Sequence, residues 1–204
     1  RTLLSARAPV TLISTSGDPP LHIAAERPSA AATLATLIDA GAPLAMRDGR
    51  RQTALHIAAR AGNSVAVATL LGARCDPELR DRWHRTALHW AVVNGQLGAA
   101  TLLVAAGATV NGVPMPIKKH LKKTSLPLEA PLHSAARLNP ASGAQMIELL
   151  LRAKADPNLR DQFGQTAMQV AQGAGWSPAQ LSLAWEQQYV HGLDYLRAGS
   201  NHSR

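Results

Sequence analysis

The chain alternates short apolar segments with short polar ones, and the apolar positions inside each segment follow a helical period. Leu55 lies three residues before Ala58 and four before Ala59, which places all three on one face of a helix. Thr53 precedes this segment, where its hydroxyl group can accept hydrogen bonds from the free N–H groups of the first turn. The pattern predicts a second helix directly afterwards, with a buried stripe formed by Val67, Leu70 and Leu71.

A Leu-His segment recurs along the chain at a nearly constant interval. The histidines His22, His56, His89 and His133 are separated by 34, 33 and 44 residues, and Gln169 follows 36 residues later. Such a period is typical of repeat proteins, in which each unit buries its apolar surface only against its neighbours. We therefore expect stability to come from the stacking of successive units.

Two further motifs recur in register with the first. The second halves of four units match one another at residues 37–42, 70–75, 103–108 and 150–155. In three units an Arg-Asp pair precedes a threonine, with the aspartate five residues before it. These three motifs, repeated over about residues 18–186, resemble the ankyrin repeat family. The resemblance implies an all-α solenoid of stacked helix-turn-helix units with short projecting β-turn loops and a C-terminal capping helix.

The repeats predict the organisation of the whole chain. We expect an N-terminal arm at 1–17, an ankyrin repeat domain at 18–176, and a C-terminal capping helix and tail at 177–204. The five repeats are expected at about 18–47, 48–80, 81–111, 126–160 and 161–186, with a basic insertion at 112–125. The arm lacks acids, which is typical of the remnant of a transit peptide. An arbitrary chain boundary is the alternative that stays open.

The sequence departs from the family pattern at the ends of two second helices. Arg74 and Lys154 stand where the family usually has glycine, at a residue with left-handed backbone. We expect these two turns to be either strained or rebuilt.

The segment after Gly175 has a different pattern. Ser177-Pro178 is a good helix start, and an apolar stripe follows at Leu181, Trp185, Tyr189, Leu193 and Leu196. Two interpretations stay open: a lid over the last repeat, or a helix that docks a partner.

Catalytic and metal-binding motifs are not evident in the sequence. Stacking would place the repeated histidines about 10 Å apart, whereas zinc ligands lie ~2 Å from one metal ion. The resemblance implies instead that these histidines hydrogen-bond between neighbouring repeats. Cys75 occupies an alanine position of the repeat, so we expect it to be buried and inert. We therefore predict a protein that is not an enzyme and needs no cofactor.

The resemblance implies that partners bind the turn tips and the exposed side of each first helix. In this chain those positions contain no acid and several arginines, together with two of the seven aromatic residues. Because Trp and Arg dominate binding hot spots, we interpret these positions as contacts. The predicted contacts are Arg50, Arg60, Arg82, Trp83, Arg85, Asn94, Arg137 and Phe163. A solvated basic face is the alternative.

The insertion carries a separate basic cluster, formed by Lys118, Lys119, Lys122 and Lys123. Pro114 and Pro116 precede it and favour an extended excursion over a continuing helix. Three interpretations stay open: a solvated loop, a contact with nucleic acid or an acidic protein, and a nuclear import signal.

Charge narrows the choice of partner. The chain has 21 Lys and Arg against 13 Asp and Glu, a net charge of +8. Many acids occupy positions fixed by the repeat, so the positive surplus lies on variable positions and favours an acidic or phosphate-bearing partner. The primary hypothesis is a protein-binding module, either an adaptor or a structural subunit of a larger assembly. The alternative is an RNA- or ribonucleoprotein-associated subunit held by phosphate contacts.

Two further expectations concern the surroundings of the protein. The longest apolar stretch, residues 97–110, is shorter than the ~20 residues that a membrane span needs, so we predict no membrane insertion. A small-molecule substrate is not expected. The sequence indicates an intracellular protein and leaves the mitochondrion, the nucleus and the cytoplasm open.

Overall fold

The computed structural model describes residues 18–112 and 129–189. The predicted arm, nearly all of the insertion and the end of the tail lie outside these ranges. By their internal contacts the described residues divide into two compact units, residues 18–109, and residues 110–112 with 129–189. Across the described ranges, the regular structure consists of ten α-helices, a 3-10 helix at Pro28–Ala30 and an isolated bridge between Arg160 and Thr166.

The first unit contains three helical hairpins. Its helices are α1 (Pro20–Glu26), α2 (Ala31–Asp39), α3 (Ala54–Ala61), α4 (Ser64–Gly72), α5 (Ala87–Val93) and α6 (Leu97–Ala105). The first helices α1, α3 and α5 pack side by side in one layer, and the second helices α2, α4 and α6 pack in another. The predicted stack of helix pairs is therefore confirmed within this unit.

The core of the first unit consists of the leucines and alanines that the pattern selected. Leu55 and Leu88 are fully buried, and Ala58 lies between first helices with no exposed surface. Small alanine side chains allow these short helices to approach closely. Val67 and Leu70 are buried as predicted, whereas Leu71 is only half-buried at the edge of the stripe.

The repeated histidines join each helix start to the next repeat. His56 Nδ1 accepts a hydrogen bond from the backbone N–H of Thr53 at 3.1 Å and lies 2.8 Å from the Thr53 hydroxyl. Its Nε2 lies 3.1 Å from the carbonyl oxygen of Arg85 in the next repeat. His22 makes the equivalent contact with the carbonyl oxygen of Gln52 at 2.8 Å. These bonds confirm the structural role that the resemblance implied.

In two of the histidines, Nδ1 lacks the hydrogen bond with the residue at the helix start. Pro19 and Ala130 stand where the other repeats have a threonine, so neither offers a hydroxyl group. Accordingly, Nδ1 of His22 and Nδ1 of His133 are buried without a hydrogen-bond partner among the described residues. A buried unpaired ring nitrogen is unfavourable by about 1–3 kcal/mol.

The second unit repeats the same architecture. It contains α7 (Pro131–Ala136), α8 (Pro140–Arg152), α9 (Ala167–Gly173) and α10 (Pro178–Tyr189). Helix α7 packs against α9, and α8 packs against α10. The predicted C-terminal helix is thus present, and it occupies the place of the second helix of its hairpin.

Two tryptophans seat α10 on this unit. Trp185 of α10 is 2% exposed, and its ring meets that of Trp176 edge to face, with centroids 6.2 Å apart. The indole N–H of Trp176 donates to the carbonyl oxygen of Leu138 at 3.2 Å. Gly143 of α8 leaves room for this indole, because a Cβ there would lie 2.5 Å from it. The buried face of α10 supports the lid interpretation.

The two expected departures at helix ends are also present. Arg74 and Lys154 have φ angles of 65° and 64°, in the left-handed region where Gly41 and Gly107 sit in other repeats. These turns are therefore strained rather than rebuilt.

Candidate partner-binding site

The turn that carries Trp83 is organised by one carboxylate. Oδ1 of Asp81 accepts hydrogen bonds from the backbone N–H groups of Trp83 and Arg85, at 2.8 and 2.9 Å. The fold places His84, between them, in the left-handed region with a φ of 62°. This geometry holds the backbone of the turn in place.

Four side chains gather at this turn, which we name the tip cluster: Arg82, Trp83, Arg85 and Trp90. The guanidinium carbon of Arg82 lies 4.1 Å from the Trp83 ring centroid, and that of Arg85 lies 5.3 Å from the Trp90 ring. Trp83 meets Trp90 edge to face at 6.0 Å. Oδ2 of Asp81 accepts a hydrogen bond from Nε1 of Trp90 at 2.9 Å. Trp83 is half-buried against this neighbour and is not part of the core.

Sequence reasoning missed the contribution of Trp90. The position after the repeated histidine holds Ile23 and Ile57 in the first two repeats, and only the third has an aromatic residue there. This difference between the repeats is the sequence feature that could have indicated a role of Trp90 at the turn.

The adjacent turn is built in the same way and is tied to the first. Oδ1 of Asp48 accepts from the backbone N–H groups of Arg50 and Gln52 at 2.8 and 2.7 Å. The carbonyl oxygen of Arg50 accepts from the backbone N–H of Arg82 at 3.1 Å. This bond joins the two tips, and the Arg50 side chain is exposed beside the tip cluster. Arg51, with a φ of 59°, is a further exposed cation that sequence reasoning missed.

Two other predicted contacts of the first unit have partners within the fold. Arg60 Nη2 lies 3.3 Å from a carboxylate oxygen of Glu26. Asn94 donates from its side chain to the carbonyl oxygen of Trp90 at 2.8 Å. The side chain of Asn94 is therefore engaged within the fold, and Glu26 offsets part of the charge of Arg60.

The second unit holds the other two predicted contacts of the described ranges. Arg137 lies 3.0 Å from a carboxylate oxygen of Glu129 and 3.7 Å from one of Asp161, so its charge is largely compensated. Phe163 is 69% exposed on a turn that Asp161 closes. Phe163 thus presents an exposed ring from a turn whose backbone Asp161 holds. Lys118, Lys119, Lys122 and Lys123 lie outside the described residues.

The titratable groups of His22, His56 and Cys75 are buried and are shifted towards their neutral forms. Burial lowers the pKa of His22 and of His56, more strongly than the nearby carbonyl oxygens raise it. Burial also raises the pKa of the Cys75 thiol to about 11, which keeps it protonated at neutral pH. The prediction that Cys75 is buried is confirmed. In residues 18–112 and 129–189, side chains of His, Cys, Asp and Glu form no group of three that could hold a metal ion.

Comparison with known proteins agrees with the repeated motifs and the hairpins. The family model described as ankyrin repeats (3 copies) matches residues 2–81 and 21–113, and the model described as ankyrin repeat matches residues 129–162. The chain therefore belongs to the ankyrin repeat family, and its all-α fold of stacked helical hairpins is that of the family. The curated proteins gave no match to this chain.

Membership of this family defines the class of function. Ankyrin repeats are generally protein–protein interaction modules, and proteins built from them are typically non-enzymatic. In the part of the chain that the structure describes, none of the helices has the length and apolar character needed to cross a membrane.

Proposed function

We propose that this protein is a non-enzymatic adaptor, or a structural subunit of an assembly, that binds an acidic protein through the tip cluster. The observation that carries this proposal is the stacking of Arg82 on Trp83 while Trp83 rests on the anchored ring of Trp90. These contacts restrict the side chains in the absence of a partner, so we expect binding to immobilise few additional rotamers.

The charge around the cluster supports an acidic partner. Arg50, Arg82 and Arg85 lie on two adjoining turns whose aspartates are engaged in backbone bonds. A carboxylate that approaches this surface meets guanidinium groups first, and the indole rings supply apolar contact area. Trp and Arg together are the residue types most enriched in binding hot spots.

RNA is the alternative partner for the same surface. Guanidinium and indole planes can stack on bases, and arginines can contact phosphates. The two hypotheses differ in salt dependence, because binding dominated by phosphate contacts weakens steeply with the logarithm of the salt concentration. An interface anchored by rings weakens much less.

Site-specific photo-crosslinking in cells tests the proposal directly. The change Trp83→p-benzoylphenylalanine places the crosslinker in the tip cluster, and Val65→p-benzoylphenylalanine is a matched control because Val65 is 56% exposed on α4 of the same unit. We expect an acidic protein to be captured at position 83 and not at position 65. Capture should fall at least about tenfold with Arg82→Ala and Arg85→Ala together.

The same experiment separates the alternatives. A crosslinked species that resists ribonuclease and persists at high salt supports the acidic protein. A species that ribonuclease removes supports RNA. Equal capture at positions 83 and 65 would contradict a role of the tip cluster in either.

A further inference from the structure

The tip cluster holds two guanidinium groups that pair with no carboxylate of the described residues. Among these residues the ion pairs engage Arg60, Arg137 and Arg152, whereas Arg82 and Arg85 form none. Each of the two lies over an indole ring instead, at 4.1 Å for Arg82 and 5.3 Å for Arg85. Contact with a ring uses the face of a guanidinium group, while its five N–H donors point along its plane. The donors of both groups are therefore available to an anion.

The aspartate of this turn is satisfied without an arginine. Asp81 is 1% exposed, and its two carboxylate oxygens accept hydrogen bonds from two backbone N–H groups and from the indole N–H of Trp90. In the fifth repeat Val170 stands in place of Trp90. There the second oxygen of Asp161 lies 3.7 Å from a guanidinium nitrogen of Arg137. The indole N–H thus takes the place at Asp81 that a guanidinium group has in the other turn.

The surroundings of the two guanidinium groups are positively charged. The turn from Arg80 onwards contains three arginines against one aspartate. Arg47 of the preceding repeat reaches the same turn, because its guanidinium group donates to the carbonyl oxygen of Arg80 at 2.9 Å. Arg50 adds less, because Asp18 and Glu26 line the same recess as Arg50. Cations therefore outnumber acids at the tip even when Arg50 is left aside.

This surplus matches a phosphate monoester better than a carboxylate. A phosphorylated side chain carries a charge of about −1.5 to −2 at neutral pH and has three strong acceptor oxygens. A carboxylate carries a single charge and two oxygens, so a bidentate pair with one guanidinium group leaves the second group without a counterion. Arg82 and Arg85, three positions apart on one turn, together provide donors for a phosphate group.

We propose that the tip cluster binds a phosphorylated side chain of its protein partner. Arg82 and Arg85 donate hydrogen bonds to the phosphate oxygens, and the ring of Trp83 contacts the carbon atoms that carry the phosphate group. The proposal rests on the proposed function, because it names the anionic group that the same surface recognises. It adds regulation, since binding then depends on whether the partner is phosphorylated.

The test uses the full chain and N-acetyl-O-phosphoserine amide as the probe, at constant ionic strength. In NMR titrations, we expect saturable shifts of the indole N–H signals of Trp83 and Trp90. The dissociation constant should be at least about tenfold lower than that of N-acetyl-glutamate amide. Dimethyl phosphate, a diester with a single charge like an RNA linkage, should bind as weakly as the glutamate derivative. Equal affinity for the phosphoserine and glutamate derivatives, or tighter binding of the diester, would overturn the proposal.

Three variants and one control assign the effect to the tip cluster. Arg82→Gln and Arg85→Gln should each weaken binding of the phosphoserine derivative about tenfold. Arg82→Lys should weaken it about fivefold, because lysine keeps the charge but lacks the bidentate fork. Arg74→Gln is the matched control, because Arg74 is an exposed arginine of the same unit outside the tip cluster. Its affinity should change by less than about twofold, and equal weakening by Arg74→Gln would overturn the proposal in favour of a general effect of net charge.

Photo-crosslinking separates a failure of this proposal from a failure of the proposed function. With p-benzoylphenylalanine at position 83, phosphatase treatment of a cell extract before irradiation should lower capture of the partner at least about tenfold. Capture that phosphatase leaves unchanged would overturn the assignment of a phosphate group and would leave the proposed acidic protein partner intact. Equal capture at positions 83 and 65 would contradict both.

Discussion

Nε1 of Trp90 donates a hydrogen bond of 2.9 Å to Oδ2 of Asp81. The bond connects helix α5 to the turn that holds Trp83, because the other oxygen of Asp81 accepts from the backbone of that turn. The indole ring of Trp90, on helix α5, therefore supports the indole ring of Trp83 at the tip of the turn. The residues that maintain the fold, such as Leu88, are therefore different from those to which we assign binding, such as Trp83.

The first prediction concerns this separation. Trp83→Ala should lower affinity for the crosslinked partner by about 30-fold, near 2 kcal/mol, because it removes the outer ring of the cluster. The free energy of unfolding should change by less than about 1 kcal/mol, since Trp83 is half-buried. Leu88→Ala should do the reverse and lower stability by about 2–5 kcal/mol, because Leu88 is fully buried. Chemical denaturation and a binding titration measure both quantities, and a large stability loss for Trp83→Ala would place its ring in the core.

The second prediction uses the unpaired ring nitrogen of His133. Ala130→Thr should restore the hydroxyl partner that Thr53 offers to His56 at 2.8 Å. Ala130 has extended backbone at the helix start, as Thr53 does, so a threonine is compatible with this position. We expect a gain of about 1 kcal/mol in the free energy of unfolding. Ala130→Val, with a similar shape and no hydroxyl group, is the control, and an equal gain from valine would show that the hydrogen bond is not the cause.

The third prediction concerns acidification. Burial lowers the pKa of His22 and His56 in the folded chain below the ordinary value of 6.5. Protonation therefore favours the unfolded chain, so their stabilising effect is complete above pH 6.5 and is lost as the pH falls through the folded pKa values. The thermal midpoint should be nearly constant from about pH 7 to 8 and should decline below about pH 6.5.

His56→Gln provides the control for this decline. In the fifth repeat Gln169 already caps its helix in place of histidine, and its Oε1 accepts from the backbone N–H of Thr166 at 2.9 Å. The variant keeps a cap but cannot titrate, so its thermal midpoint should fall less steeply with acid. An unchanged slope would mean that other groups cause the acid sensitivity.

The extent to which the structure was predictable differs between fold and site. The helix pairs and the histidine bonds follow from contacts that each repeat makes again with its neighbour, so the same sequence signal occurs several times. The left-handed position of Arg74 follows from its register in the repeat, but the choice between a strained and a rebuilt turn required the structure. The ion pair between Arg60 and Glu26 occurs once and joins side chains 34 positions apart. Its formation depends on side-chain conformations that no repeated pattern constrains.

The environment of Trp83 was predictable only in part. Its place at a turn tip follows from the position of Asp81 in the repeat, and it is confirmed. Its contact with Trp90 depends on a substitution in a single repeat, at a position where isoleucine otherwise stands. Such unique substitutions produce the individual binding surface of a repeat protein, and their geometry requires the structure.

The fourth prediction concerns the left-handed residue after α8. Lys154 has a φ of 64°, which is unfavourable for a residue with a Cβ atom, and its side chain is exposed. Lys154→Gly should raise the free energy of unfolding by about 0.5–1 kcal/mol, because the relief of strain exceeds the entropy that glycine adds to the unfolded chain. Arg152→Gly, at the last residue of α8, should instead lower it by about 0.5–1 kcal/mol, because glycine adds entropy to the unfolded chain there without relieving strain and the ion pair with Glu148 is lost. Thermal denaturation of both variants checks the difference in sign.

The fifth prediction tests how α10 is held on the second unit. An added Cβ at Gly143 would lie 2.5 Å from the indole of Trp176 and 2.9 Å from the carbonyl oxygen of Ala135. Gly143→Ala should therefore displace the indole and lower stability by about 1–2 kcal/mol, even though alanine favours a helix. Gly173→Ala in α9 is the matched control, because a Cβ there has no neighbour within 4 Å and should raise stability by about 0.5–1 kcal/mol. Hydrogen exchange should show faster opening of α10 in Gly143→Ala alone, and equal protection in both variants would contradict the seating of α10 by Trp176.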